Sequence, residues 1–226
     1  MHTHPAHLHV AGVDEAGRGP MVGPLVVCGI MMSSNQIAYL VEIGVQDSKV
    51  ISAKRRESLF AEIMALAEGI AIRRITAVEI DEGRARGVSL NRIEVSAFAS
   101  VARELHPDVV YMDAADVVPR RFEETVAHES GLANCQFVAE HKADSKYPIV
   151  AAASIVAKVE RDREIQRLHT IYGDFGSGYP SDPKTVRFVE HIVRTGEPLP
   201  PVVRKSWNSV KRVIEASETK QSRLEG

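Results

Sequence analysis

Residues 12–24 read GVDEAGRGPMVGP, and the rest of the chain is organised around them. A short apolar run, residues 8–13, leads into two adjacent carboxylates, Asp14 and Glu15. The glycine turn Gly17-Arg18-Gly19 follows, and a second apolar run covers residues 25–32. The pattern predicts a strand, an acidic tip, a tight turn and a second strand. Two carboxylates beside backbone that a ligand can approach closely suggest chemistry on a bound anion. Neighbouring strand residues face opposite sides. For Asp14 and Glu15 to face one site, the strand must end irregularly there, which Gly17 and Gly19 permit.

Working outward, 226 residues suit one ordinary domain with a small appendage. A hydrophobic content of 44% with 26% charged residues describes a globular protein with a sizeable core. The net charge of −2 excludes a globally basic nucleic-acid binder, yet a local basic patch is enough for binding. Cys28 and Cys135 form no CxxC pair; the expectation is two reduced, buried thiols in a cytoplasmic protein. No apolar run reaches the roughly 18 residues of a membrane span. The start, MHTHPAHLHV, lacks the apolar stretch of a secretory signal. Its histidines could ligate a metal, but a weakly structured terminus is the plainer reading.

Further along, Asp47-Ser48-Lys49 sits in a polar loop, and Ser52 is placed to cap a helix that Gly69 stops. Residues 70–75 predict a strand, and 90–105 an amphipathic helix with Leu90, Ile93, Ala97, Phe98, Val101 and Leu105 on one face. Residues 109–112 predict a buried strand ending in Asp113. A helix over 120–128 and a strand over 135–139 come next, leading to His141-Lys142-Ala143-Asp144. Pro148 opens a long helix to about residue 171. A glycine- and proline-rich stretch, 173–183, separates it from helices over 183–195 and 205–217. Strands first, then strands alternating with helices, predict an α/β fold: a mixed sheet flanked by helices. The domain division expected is a catalytic part, 1–172, and a helical C-terminal segment, 173–226.

Asp14, Glu15, Asp113 and Asp144 all follow or end strands, and ligands of open α/β sheets gather at the carboxyl ends of strands. Three or four convergent carboxylates suit a pair of Mg²⁺ ions, which take oxygen ligands and retain waters and phosphate oxygens. Two such ions about 4 Å apart activate water and stabilise the leaving oxygen of a phosphodiester. Taken singly, each acid is also an ordinary turn or cap residue. The spacing GRGPMVG is GxGxxxG and precedes a strand, which disfavours a dinucleotide fold; neither GxxxxGK[ST] nor GxSxG occurs.

The stretches DEAGRGPMVGP (14–24), DSK (47–49), SLNRIE (89–94), YMDAAD (111–116), HKAD (141–144), AASIVAKVERD (152–162), GSGYPSDPKT (176–185) and VRKSW (203–207) resemble ribonuclease HII in the family's order. The branch resembled is the archaeal and eukaryotic-like one. Ala151 departs from the serine many members carry there, as a packing variant would. The resemblance implies an RNase H-like fold with a helical C-terminal segment, and a divalent-metal endonuclease acting on RNA paired with DNA. Asp14, Glu15, Asp113 and Asp144 would hold two Mg²⁺ or Mn²⁺ ions, with Asp116 outside the set.

It further implies that Gly17, Arg18 and Gly19 read the junction between a ribonucleotide and the next deoxyribonucleotide, with Tyr179 on the downstream sugar. Without the motif, Tyr179 is equally an ordinary loop tyrosine. A 2′-hydroxyl distinguishes RNA from DNA at such a site. Lys49 would hold backbone phosphate with Ser48 and Asn91. Lys142, Lys158 and Arg161 carry no firm role; Lys158 and Arg161 share a helix face that reads as solvated. Arg204 and Lys205 belong to an acid-free run, 203–212, that reads as a phosphate-binding patch. Trp207 reads as core rather than as a base-stacking residue. The expected partners are RNA/DNA hybrids and junction duplexes, with no membrane; the resemblance implies a monomer and leaves room for a sliding clamp. Two rivals remain: another nuclease of the same fold, and a non-catalytic nucleic-acid-binding module.

Overall fold

The computed structural model describes residues 7–45 and 51–224. Ser48 and Lys49 therefore lie outside the described residues. Five strands, β1 (His9–Ala16), β2 (Leu25–Ser33), β3 (Gly69–Ile75), β4 (Val109–Asp113) and β5 (Gln136–Glu140), form one sheet in the order β3-β2-β1-β4-β5. β1 pairs antiparallel with β2 and parallel with β4, and β4 pairs parallel with β5. The sheet is mixed, as the alternation of strands and helices predicts.

The helices are α1 (Ile37–Glu42), α2 (Ala53–Leu66), α3 (Ala77–Ala85), α4 (Leu90–Leu105), α5 (Pro119–Ser130), α6 (Pro148–Tyr172), α7 (Pro183–Thr195) and α8 (Asn208–Leu224). None among the described residues is long and apolar enough to cross a membrane. Ser52 does cap α2, accepting from the Arg55 N–H. The short α1 and α3 are additions to the sequence reading, and α8 begins three residues later than expected.

The chain forms two compact units that interleave in sequence. The first comprises Met1–Ala16, Val26–Arg73 and Asn91–Glu160; the second comprises Gly17–Leu25, Arg74–Leu90 and Arg161–Gly226. In the first, β1 and β2 are buried against α6. A Cβ on Gly12 would lie 2.3 Å from the Ile149 carbonyl, so β1 and the start of α6 meet backbone to backbone. Ala151, Ala152 and Ala153 continue that buried face, which fits Ala151 as a packing residue. Across the sheet, Phe98 of α4 meets Phe122 of α5 edge to face, with centroids 5.1 Å apart. Such a pair adds about 0.5–1.5 kcal/mol beyond its burial. Cys28 is buried, but Cys135 is only partly so. Burial and the nearby Asp108 push the Cys135 thiol up to about 11, so it stays protonated at neutral pH.

The second unit has its own core of Met21, Val22, Ile165, Leu168, Phe175, Val189, Val203 and Val210. Its α3 starts with a reciprocal cap: the Thr76 side chain accepts from the Glu79 N–H, and the Glu79 carboxylate accepts from the Thr76 N–H. Thr76→Ala should cost about 1 kcal/mol. In thermal melting that is a fall of roughly 2–4 °C for a chain of this size; an unchanged midpoint would show the cap to be idle.

Candidate metal centre and the glycine turn

Because β1, β4 and β5 run parallel, their carboxyl ends share one edge of the sheet. Asp14 is near the end of β1, Asp113 is the last residue of β4, and Asp144 sits in a 3₁₀ turn, Ala143–Ser145, just beyond β5. One carboxylate oxygen from each of the three lies within 4.8 Å of the others. Asp14 and Asp144 are buried, at 4% and 3% exposure, and Asp113 is partly exposed.

Glu15 does not join this tight group, and the reason is strand geometry. The strand does not end irregularly at the acids. Regular pairing with β2 continues through Glu15↔Val27 to Ala16↔Val26. Successive side chains of a regular strand alternate faces, so Asp14 turns inward while Glu15 remains partly exposed.

Each aspartate is held by local hydrogen bonds. Asp14 Oδ1 accepts from the Glu15 N–H at 2.7 Å, and the Ser154 hydroxyl of α6 also supports Asp14. Asp113 Oδ1 accepts from the Ala143 N–H at 3.3 Å, which ties the β4 end to the turn carrying Asp144. That turn is entered through Lys142 in the left-handed conformation, φ 58°, so the lysine backbone shapes the turn while its side chain is exposed. Tyr147 stacks on Tyr111 of β4, centroids 4.3 Å apart, and donates to Glu140 at 2.7 Å. The Glu140 carboxylate pushes the Tyr147 hydroxyl up to about 12.

Burial raises the Asp14 carboxyl well above its ordinary range, and the charges of Glu15 and Asp113 add to the rise. The Ser154 and Glu15 hydrogen bonds oppose it without cancelling it. Crowded carboxylates of this kind are relieved by a cation. A donor set of carboxylate oxygens fits hard divalent ions such as Mg²⁺ and Mn²⁺.

Asp116 is engaged elsewhere. It pairs with Arg121 and accepts from the Val118 N–H at 2.9 Å, and these bonds hold its carboxyl below the usual range. Asn91 donates to the same carboxylate at 3.5 Å, so its amide organises the loop after β4.

The glycine turn belongs to the second unit. Gly17 has φ +89°, and a Cβ there would lie 2.5 Å from the Pro24 carbonyl oxygen. Segment 21–23 is laced to Gly178, whose carbonyl accepts from the Met21 N–H at 2.7 Å, and to Val202, which accepts from Gly23 at 2.9 Å. Tyr179 follows Gly178 directly. Its ring carries the Arg161 guanidinium at 4.9 Å and lies 3.8 Å from where a Gly19 Cβ would stand.

Two arginines here depart from their sequence reading. Arg161, expected on a solvated face, is 3% exposed and donates to the Ser177 carbonyl at 2.5 Å. The signal was present, because Arg161 lies four residues from both Ala157 and Ile165, on the apolar face of α6. Arg204, expected on a phosphate-binding patch, is fully buried and donates to the carbonyls of Gly17, Arg18 and Gly23. A guanidinium so enclosed cannot meet a phosphate. Lys205 keeps an exposed side chain, while its N–H donates to Asp81 at 2.8 Å. Trp207 packs partly buried against the second core.

A mixed sheet flanked by helices, with three aspartates converging at its carboxyl edge, is the architecture of the metal-dependent hydrolases of the RNase H-like fold. The family model described as Ribonuclease HII matches residues 11–210. A Ribonuclease HII of Thermococcus sibiricus is 46% identical over 221 residues, covering 96% of this chain and 97% of its own. The crystal structure of the ribonuclease H2 from Pyrococcus horikoshii superposes with a TM-score of 0.85 at 42% identity, over 93% of this chain and 99% of that one. The Archaeoglobus fulgidus RNase HII, solved in complex with PCNA, superposes with a TM-score of 0.82 at 42% identity, over 89% and 96%. The chain belongs to the ribonuclease HII family. As such it is a metal-dependent ribonuclease H acting on RNA/DNA hybrids.

Proposed function

We propose that this chain hydrolyses the phosphodiester on the 5′ side of a ribonucleotide, including a single one embedded in duplex DNA, and leaves 3′-hydroxyl and 5′-phosphate ends. The observation that carries the reading is the convergence of Asp14, Asp113 and Asp144 within 4.8 Å at one edge of the sheet. Two Mg²⁺ or Mn²⁺ ions, when bound, supply an activated water and charge stabilisation at the leaving oxygen. Asp14, Asp113 and Asp144 would hold them, and Glu15 is assigned the outer share of the ligand set.

The remaining work falls to the chain itself. Ser154 and the Glu15 N–H orient the Asp14 carboxylate, and the Ala143 N–H orients Asp113. Gly17, Arg18 and Gly19 contact the ribose through main-chain groups. Tyr179 packs on the following deoxyribose, where an extra 2′-hydroxyl would crowd its ring. The biological task is removal of ribonucleotides left in DNA. By likeness to the Archaeoglobus protein solved with PCNA, we also assign a sliding clamp as partner of an otherwise monomeric, cytoplasmic enzyme.

Two end-labelled duplexes test this reading: DNA with one embedded ribonucleotide, and a long RNA strand paired with DNA, each with Mg²⁺, Mn²⁺ or EDTA. Metal-dependent cutting immediately 5′ of the lone ribonucleotide is the expected result. Cutting of the long hybrid alone would retain a hybrid nuclease and remove the junction reading.

A further inference from the structure

Arg204 is a fully buried cation that bonds the glycine turn in two directions and Gly23, shortly after it, in a third. Its Nη2 donates to the Gly17 carbonyl at 2.6 Å, its Nη1 to the Arg18 carbonyl at 3.0 Å, and its Nε to the Gly23 carbonyl at 3.0 Å. Its own N–H donates to Met21 at 2.8 Å. The guanidinium lies 4.9 Å from the Trp207 ring, against which Arg84 also stacks at 5.5 Å. Asp81 fixes the segment between them, accepting from the N–H groups of Lys205 and Ser206 and from the Ser206 hydroxyl. An α3 carboxylate, an indole and a guanidinium thus form a continuous support beneath residues 17 and 18.

The consequence follows from peptide geometry. In a trans peptide the C=O and N–H point in opposite directions, and the described residues contain no cis bond. With the Gly17 and Arg18 carbonyls turned toward Arg204, the N–H groups of Arg18 and Gly19 are directed away from it. Two successive N–H groups on one side make a concavity for an oxygen acceptor. Glycine at 19 keeps that face free of a side chain.

We propose that Arg204 is a positioning residue for ribonucleotide recognition: it orients the Arg18 and Gly19 N–H groups toward the ribose 2′-hydroxyl. The inference rests on the junction reading given above and names what holds that junction reader in shape. Lysine cannot replace it, because one ammonium does not span three carbonyls as a planar fork does. A long hybrid spreads its binding over many riboses and depends less on one oriented pair of donors.

The test compares wild type, Arg204→Lys and Arg204→Ala on the single-ribonucleotide duplex and the long hybrid. Binding to the single-ribonucleotide duplex and to all-DNA duplex is measured alongside, in Ca²⁺. For Arg204→Lys, kcat/KM on the single ribonucleotide should fall at least about tenfold further than on the long hybrid, as misplaced positioning groups do. Ribonucleotide-dependent binding should fall with it, and guanidinium ion should partly restore the ratio in Arg204→Ala. Equal losses on both substrates, or equal weakening on all-DNA duplex, would overturn the proposal in favour of a purely structural or phosphate-directed role. If the Arg204 variants do not fold, Trp207→Leu keeps the guanidinium and removes its stacking partner. A smaller shift in the same direction is then expected, and an unchanged ratio overturns the proposal. Failure of the wild type to cut at a lone ribonucleotide would instead remove the junction reading itself, before any variant is compared.

Discussion

Asp14→Asn will abolish metal-dependent cleavage while making the metal-free protein harder to melt at neutral and alkaline pH. The first half follows from the site. Asp14 is one of the two buried members, at 4% exposure, of three aspartates whose oxygens converge within 4.8 Å. Replacing its charge with an amide removes an anionic ligand from the cation site, a loss on the order of 10³-fold or more in rate. The second half follows from the same burial. The Asp14 carboxyl is raised well above its ordinary range, first by desolvation and then by Glu15 and Asp113.

A carboxyl whose folded pKa is raised favours the folded state while it is protonated. That contribution is complete below the unfolded value of about 3.9 and is lost as pH rises through the folded pKa. Above that point the metal-free protein carries the full cost of a buried, repelled charge. Asparagine has no such titration, and its Oδ1 can still accept from the Glu15 N–H. The midpoints of wild type and variant in EDTA should therefore separate as pH rises from 4 and stay apart above the raised pKa. Adding Mg²⁺ or Mn²⁺ should raise the wild type more than the variant, since a ligand of the native state stabilises it. Full activity in the variant, or a lower midpoint in EDTA at pH 8, would contradict the assignment.

The acids were legible from sequence because they follow short segments that read as strands. Parallel pairing of β1, β4 and β5 then brings Asp14, Asp113 and Asp144 to one edge. Glu15 was harder to place. The glycines after it allow an irregular end, and only the observed register through Ala16 shows that the strand continues. The α3 helix was signalled by Thr76 and Glu79 at capping-box spacing, in a stretch whose apolar pattern is weak. Arg161 could have been recognised from its place between Ala157 and Ile165. Arg204 could not, because its burial depends on carbonyls some 180 residues earlier, at Gly17, Arg18 and Gly23, and a local run of basic residues carries no trace of them.

The two glycines of the turn should respond differently to the same substitution. Gly17 holds φ +89°, and an added Cβ would stand 2.5 Å from the Pro24 carbonyl oxygen. Left-handed backbone costs a non-glycine residue roughly 1–2 kcal/mol, and the backbone clash adds roughly 1–3 kcal/mol. Gly17→Ala should therefore lose about 2–5 kcal/mol of stability. At about 2–4 °C per kcal/mol for this chain length, the midpoint falls by roughly 10 °C. The same shift would displace the Gly17 carbonyl from Arg204. Gly19 is different: its Cβ would meet only the Tyr179 ring at 3.8 Å, an ordinary contact. Gly19→Ala should melt with the wild type. If residues 17–19 meet the ribose through main-chain groups, its methyl should nevertheless lower cleavage at a lone ribonucleotide, because it stands where the sugar approaches. Melting and cleavage thus separate a glycine required by the fold from one required by the ligand. A Gly19→Ala protein that melts normally and cuts the single-ribonucleotide duplex at the wild-type rate would take residue 19 out of the recognition surface, whereas a Gly17→Ala protein as stable as wild type would deny the turn its constrained backbone.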